Sequence, residues 1–363
     1  MESASLIRQI APSLQAQDAI RLLAELQKKL VQGLNQNASE LGFLQEFRQV
    51  EWLRNQGRDG GGVRLEALPG EFLNRASVNL SQVHYASSSH LPLASANALS
   101  SIVHPANPFA PSLHLHISWT ELKSGKNYWR LMADLNPSLP DPADQLHFEN
   151  ALRAVKPELF DSACQQGQKY FYIPSHQRHR GISHYYLENF TLDDFEAEMQ
   201  FAEAFAHAVI NTYLDIICAQ LTQHPRFGAP EAEQQLRYHS LYFFQVLLLD
   251  RGTTAGLLVH DQNDIGILGS LPARIDRDLF ASWQRVLMGL QKDLLLRILS
   301  VLPTINPCPI DVETKLLLAQ VLRAFYKEFP EALSLQAAGN ILPPTIQNHG
   351  LTSNHTLTPN HPA

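Results

Sequence analysis

HPANPFAPSLHLHIS, residues His104 to Ser118, is the stretch from which the fold can be read. Side chains on a strand alternate between its two faces, so Leu113, Leu115 and Ile117 point one way while His114, His116 and Ser118 share the other. A strand with one apolar and one polar face belongs to an antiparallel sheet with a core on one side. Pro105, Pro108 and Pro111 fix their own φ and press each preceding residue toward extended geometry, so a stiff connector delivers the two histidines. The polar face is the predicted site of chemistry, and His104, at the head of the same stretch, joins the candidate residues.

Similar runs surround it. Leu99–Val103, Tyr128–Leu135, His184–Phe190, Tyr242–Leu249 and Ile265–Leu271 read as further strands. Short connectors between several of them favour antiparallel pairing. Apolar spacing of three and four predicts a helix from Ser5 to Leu34, a second from Glu40 to Arg54, others over Pro142–Val155 and Pro157–Gln168, and a long one after Thr191, where Thr191-Leu-Asp-Asp194 resembles an N-terminal cap. Gly57, Gly60, Gly61 and Gly62 lack the flanking residues of a phosphate-binding loop and are predicted to form a flexible loop. The resulting class is α+β: a curved antiparallel sheet flanked by helices over residues 1–272, a helical C-terminal segment over 273–340, and a disordered tail over 341–363, whose Pro, Asn, Thr and His lack apolar periodicity. His349, in that tail, is not expected to be a ligand.

The whole chain sets limits on function. Its 363 residues, 45% hydrophobic and 17% charged, suffice for a large core. A net charge of -7, without a basic run, argues against nucleic acid and anionic lipid as partners. Cys164, Cys218 and Cys308 are far apart and have no C-x-x-C spacing, which predicts neither a disulfide framework nor a thiolate zinc site and fits the cytoplasm. The opening MESASLIRQI lacks a signal pattern and no apolar run approaches a bilayer's thickness, so neither export nor a membrane span is expected.

Several segments follow one another in a fixed order along the chain: Gly60-Gly61-Gly62 with Arg64, Phe72-Leu-Asn-Arg-Ala-Ser-Val-Asn-Leu-Ser-Gln-Val-His84, Ser100 with His104-Pro-Ala-Asn-Pro108 and His114, Ala133-Asp-Leu-Asn-Pro137, Tyr170-Phe-Tyr-Ile173, Arg180-Gly-Ile182, Asp250-Arg-Gly-Thr253 and Ser270-Leu-Pro272. Taken together, they resemble the oxygen-dependent coproporphyrinogen III oxidase family. The resemblance implies oxidative decarboxylation of two propionates of coproporphyrinogen III to vinyls, as in haem biosynthesis, with dioxygen as co-substrate, no organic cofactor and a homodimer. It implies His114 as proton donor and Asp250 as the group that engages pyrrole N–H donors. Ser100 and Arg180 would orient a carboxylate, and His116 and Arg251 are counted with them as substrate-binding.

The departures from the family pattern are as informative. His116 and Ser118 stand where the family has an Asn-x-Arg element, Arg130-Leu131-Met132 replaces a triple glycine, and Ser183-His184 replaces a glycine pair. Most substrate-side arginines are missing, although an anionic propionate leaving water needs a cationic or hydrogen-bonding partner. Two alternatives therefore stay open beside the enzyme. One is a catalytically altered paralogue that binds a tetrapyrrole or a protein partner without turnover. The other is a metal set of His104, His114, His147 and Glu149, with His116 beside them, suited to Fe, Mn or Zn.

Overall fold

The computed structural model describes residues 8–85, 90–260 and 262–349. Its framework is a seven-stranded antiparallel sheet in sequence order: β1 (Arg48–Leu53), β2 (Gly60–Ala67), β3 (Leu73–His84), β4 (Leu93–Pro105), β5 (Ser112–Leu122), β6 (Asn127–Asn136), then a last strand, Ser183–Phe190. The opening stretch is the β4–β5 turn and the strand that follows it. Asn107 holds the turn, accepting from Phe109 N at 3.0 Å and donating to the His224 carbonyl at 2.6 Å. Register sets Ser100 opposite His116 and Ile102 opposite His114, and on the other flank pairs His114 with Asp134 and His116 with Met132.

The alternation decides the layers. Leu113, Leu115 and Ile117 are fully buried in a core with α1 (Leu14–Glu40) and α4 (Phe195–Gln223), while α2 (Pro142–Val155) and α3 (Pro157–Phe171) extend the same side. Each such aliphatic side chain contributes about 1.5–3 kcal/mol by leaving water. The Thr191–Asp194 cap is present, with the Asp194 carboxylate accepting from Ala197 N. By length and composition α4 could cross a bilayer. Its Phe205, Val209, Tyr213 and Ile217 are buried instead against the sheet and α1, as in a core helix.

On the other face lie α5 (Ala229–Leu248), α6 (Arg251–Val259) and the helices Arg277–Ser282, Gly289–Val301 and Val312–Glu328, sharing a second apolar cluster. Phe243 and Phe244 of α5 meet Phe280, Leu295 and Phe325 there, so the expected boundary at residue 272 runs through one core.

Several expectations are corrected. Residues 48–53 form β1, not the end of a helix, and Gly60–Gly62 are buried in β2, not a flexible loop. A Cβ on Gly60 would stand 2.1 Å from the Gln82 carbonyl oxygen, and one on Gly62 2.5 Å from the Trp52 indole nitrogen, so these glycines permit close strand approach. Tyr242–Leu249 lies in α5 and its C-cap, and Ile265–Leu271 is helical turn, not strand. A run buried on all sides carries no periodicity by which to tell helix from strand. The first helix starts after Ser13, whose hydroxyl caps Ala16 N. Of the expected disordered tail, Thr345–His349 is helix with His349 buried, and 350–363 lie outside the described residues.

Candidate active site

Between the polar face of the sheet and the α5–α6 layer lies a cavity of about 270 Å³. Ser100 of β4, His114, His116 and Ser118 of β5, and Arg130 and Met132 of β6 form its floor, with Tyr242, Asp250, Thr253 and His260 above. Asn348 and His349 close one end. Asn348 donates to the Tyr128 hydroxyl at 3.1 Å, and His349 meets the Tyr85 hydroxyl at 2.9 Å and packs edge-on to the His260 ring.

His114 and Asp250, distant in sequence, face this one space. The His114 Nδ1 lies 2.7 Å from Asp134 Oδ1. Burial alone would raise the Asp134 carboxyl, but Arg180 and His114 outweigh it and hold the group well below the ordinary carboxylate range. An ionised carboxylate only accepts, so Nδ1 carries the proton and Nε2 is the basic nitrogen left to the cavity. Asp134 Oδ2 takes Arg180 and the Asn136 amide, and Arg180 Nε donates to Asn136 Oδ1 at 3.1 Å. The chain Arg180–Asp134–His114 thus fixes the imidazole's tautomer and direction.

Asp250 is the N-cap of α6. Its Oδ2 accepts from Thr253 N at 2.7 Å and its Oδ1 from the Tyr170 hydroxyl at 2.8 Å. A carboxylate has about four acceptor sites, so lone pairs remain for N–H donors in the cavity. The His116 Nε2 lies 3.2 Å from Ser118 Oγ, and burial, then the positive charge of Arg130, keeps its ring neutral.

Four sequence candidates go elsewhere. His104 is sealed below the cavity, donating from Nε2 to the Ser270 carbonyl at 3.0 Å and accepting at Nδ1 from the Ser112 hydroxyl at 2.8 Å. His147 is exposed on α2, and Glu149 on the same helix accepts from Gln145 at 2.9 Å, on the opposite side of the sheet. Among the described residues no three His, Cys, Asp or Glu side chains converge on a point where a metal ion could sit. The expected metal set is therefore corrected: His104 has both nitrogens engaged, and His147 and Glu149 do not approach His114. Arg251 also turns away, donating to the Leu333 and Ala337 carbonyls at 2.8 and 3.2 Å.

Arg180 reaches the cavity wall, but not as an open carboxylate fork. It is 5% exposed, bound to Asp134 and sandwiched by the Phe171 and Tyr242 rings, each centroid 4.8 Å from its guanidinium carbon. Arg130, the other cation on the wall, is held by Glu188, with a 2.9 Å bond from Nη2, and Glu188 also accepts from Tyr186. The roles of Asp134, Glu188 and Tyr170 follow from register and packing. Asp134 stood within a recognised motif, but only the β5–β6 pairing sets it beside His114.

Comparison with known proteins identifies the family. The family model for coproporphyrinogen III oxidase matches residues 19–284. The mouse mitochondrial oxygen-dependent coproporphyrinogen-III oxidase is 27% identical over 267 residues, covering 66% of this chain and 57% of the mouse protein. The Drosophila melanogaster protein of that name is 26% identical over 288 residues, 72% of this chain and 70% of its own length. The protein of that name in Rickettsia akari is 28% identical over 245 residues, 63% and 85% respectively. The chain thus spans little more than half of the mouse relative's length.

Proposed function

Because the chain belongs to the coproporphyrinogen III oxidase family, we propose that its cavity carries out the oxygen-dependent oxidative decarboxylation of coproporphyrinogen III, or of a related porphyrinogen, to protoporphyrinogen IX in haem biosynthesis. The observation that carries this reading is the common cavity of His114 and Asp250. Each propionate would lose carbon dioxide and one hydrogen with its electron pair to become vinyl, while dioxygen takes that pair, the hydrogen's proton and one further proton from solvent to leave as hydrogen peroxide. Asp250 would hold the macrocycle through its pyrrole N–H groups, and His114 Nε2 would move the proton, with its ring oriented by Asp134. Ser100, opposite His116 on the floor, would position the side chain being cleaved. With the reading go a homodimer and a reducing cytoplasm, no organic cofactor, and no step through a metal held by His104, His147 or Glu149.

The paired arginines favour a second reading, a paralogue that binds a tetrapyrrole without turning it over. One experiment separates the two: anaerobic mixing of the protein with coproporphyrinogen III, then admission of air, with vinyl product and oxygen uptake recorded. Turnover supports the enzyme. A shifted Soret band with bound porphyrin and no oxygen uptake replaces it with the paralogue, and neither signal overturns both.

Asp250→Asn sharpens the assignment. Asparagine caps helices as well as aspartate does, so α6 should stay intact and the melting temperature change little. Loss of the charged acceptor should lower kcat/KM by about 10- to 100-fold, the scale of one charge-assisted hydrogen bond at about 1.5–3 kcal/mol. An unchanged kcat/KM would remove Asp250 from the substrate site.

A further inference from the structure

Residues 341–349 run along one end of the cavity, beyond residues 19–284 matched by the family model. Pro343, Thr345, Asn348 and His349 line it there. The stretch before them is firmly fastened. The Gln336 amide donates to the Thr254 hydroxyl at 2.6 Å and the Tyr326 hydroxyl at 2.9 Å, and Ala337 N donates to the Leu249 carbonyl at 2.9 Å. Further on, side chains carry the polar contacts with the body. Lys169 donates to Asn340, Arg130 Nη2 to Thr345 Oγ1 at 3.5 Å and Asn348 to the Tyr128 hydroxyl at 3.1 Å, while His349 Nδ1 lies 2.9 Å from the Tyr85 hydroxyl.

Ile346 is partly buried on the second apolar cluster, but Ile341 and Leu342 are 37% and 59% exposed. A segment held by a few side chains opens at a lower cost than a strand of the sheet. Its place limits what the cavity can hold. With the segment in position the cavity measures about 270 Å³, below the roughly 300–1,000 Å³ of clefts that bury drug-sized ligands. A tetrapyrrole with four propionates is larger than such a ligand and does not fit beside the segment.

We propose that residues 341–349 are a strap that takes up part of the ligand's space in the free protein and is displaced when a tetrapyrrole binds. The proposal rests on the porphyrinogen reading, from which it takes the size of the ligand. The full chain is compared as wild type, as Asn348→Ala with His349→Ala, and as Tyr85→Phe. Tyr85 does not line the cavity, and phenylalanine keeps the ring that packs on His349 and Arg54, so this variant reaches the ligand only through the strap. Hydrogen exchange read by mass spectrometry follows residues 341–349. Stopped-flow mixing with coproporphyrin III, the oxidised macrocycle, gives association and dissociation rates.

In free wild type the strap should exchange well ahead of the sheet, and bound porphyrin should quicken it further. Removing two hydrogen bonds should raise the open population, and with it the association rate and the affinity, by about 5- to 100-fold, equivalent to about 1–3 kcal/mol. Tyr85→Phe, which removes one, should give about 2- to 10-fold. Dissociation rates should stay unchanged, because the displaced strap no longer touches the ligand. Strap exchange only as fast as that of the sheet, slower exchange once porphyrin is bound, or one association rate in all three chains overturns the strap. Porphyrin bound by none of the chains, with exchange showing the strap open, is instead the failure of the porphyrinogen reading, and this proposal falls with it.

Discussion

His114→Ala is expected to lower kcat for the proposed oxidation by about 10²–10⁴-fold, the usual contribution of a positioned acid or base, while the dissociation constant for porphyrin stays within a few-fold. The split follows from the geometry. His114 offers one nitrogen to the cavity, whereas the grip on the macrocycle is assigned to Asp250 and the polar floor. Asp134→Asn should reproduce much of this loss without touching the cavity, because an amide no longer holds Nδ1 as the protonated nitrogen. It should also cost about 3–5 kcal/mol of stability, since Arg180 is then buried without its carboxylate. Unchanged turnover in His114→Ala would remove the acid/base assignment.

The same carboxylate gives the acid response a sign. The Asp134 pKa is depressed in the folded chain relative to about 3.9 when unfolded, so its contribution is complete above that value and is lost as pH falls toward the folded pKa. Urea midpoints should therefore drop below about pH 4 in wild type, by more than in Asp134→Asn, which has no proton to take up there. Equal slopes in the two proteins would show that Asp134 is not held ionised.

What could be read from the sequence was what depends on one strand at a time. The alternation through Leu113–Ser118 separated core from cavity face correctly, because each residue's side is fixed by its own backbone. His114 and Asp250 were found as candidates, and Ser100 and His116 share their cavity. What failed depends on partners that are distant in sequence. Arg180 was expected at a substrate carboxylate, but the Leu135–Ser183 register brings it over Asp134 and Asn136. Arg251, one residue from Asp250, faces the Leu333 and Ala337 carbonyls because successive helical residues point in different directions. The tail from Ile341 lacked periodicity, yet the short helix at Thr345–His349 is held by polar bonds to Tyr85 and Tyr128, which no apolar pattern announces.

Glu188→Gln is expected to destabilise the chain by about 1–3 kcal/mol, because it leaves the half-buried Arg130 guanidinium without its counter-charge. Burial would lower the Arg130 pKa, but Glu188 outweighs it and keeps the group charged, so the arginine cannot escape by losing its proton. The double variant Arg130→Met with Glu188→Leu should recover most of the loss, since an apolar pair of similar volume avoids the desolvation of both ions. Urea midpoints of the three chains measure this, and equal stability of the single and double variants would mean that the pair acts through packing alone. The single variant also tests how the cavity meets an anion. With Glu188 neutral, Arg130 lines the cavity as an uncompensated cation, and the affinity for a porphyrin bearing four propionates should rise about tenfold, roughly 1.4 kcal/mol. A rise would establish that internal pairing, rather than a lack of arginines, limits the grip on propionates. An unchanged affinity would place the propionates out of reach of Arg130.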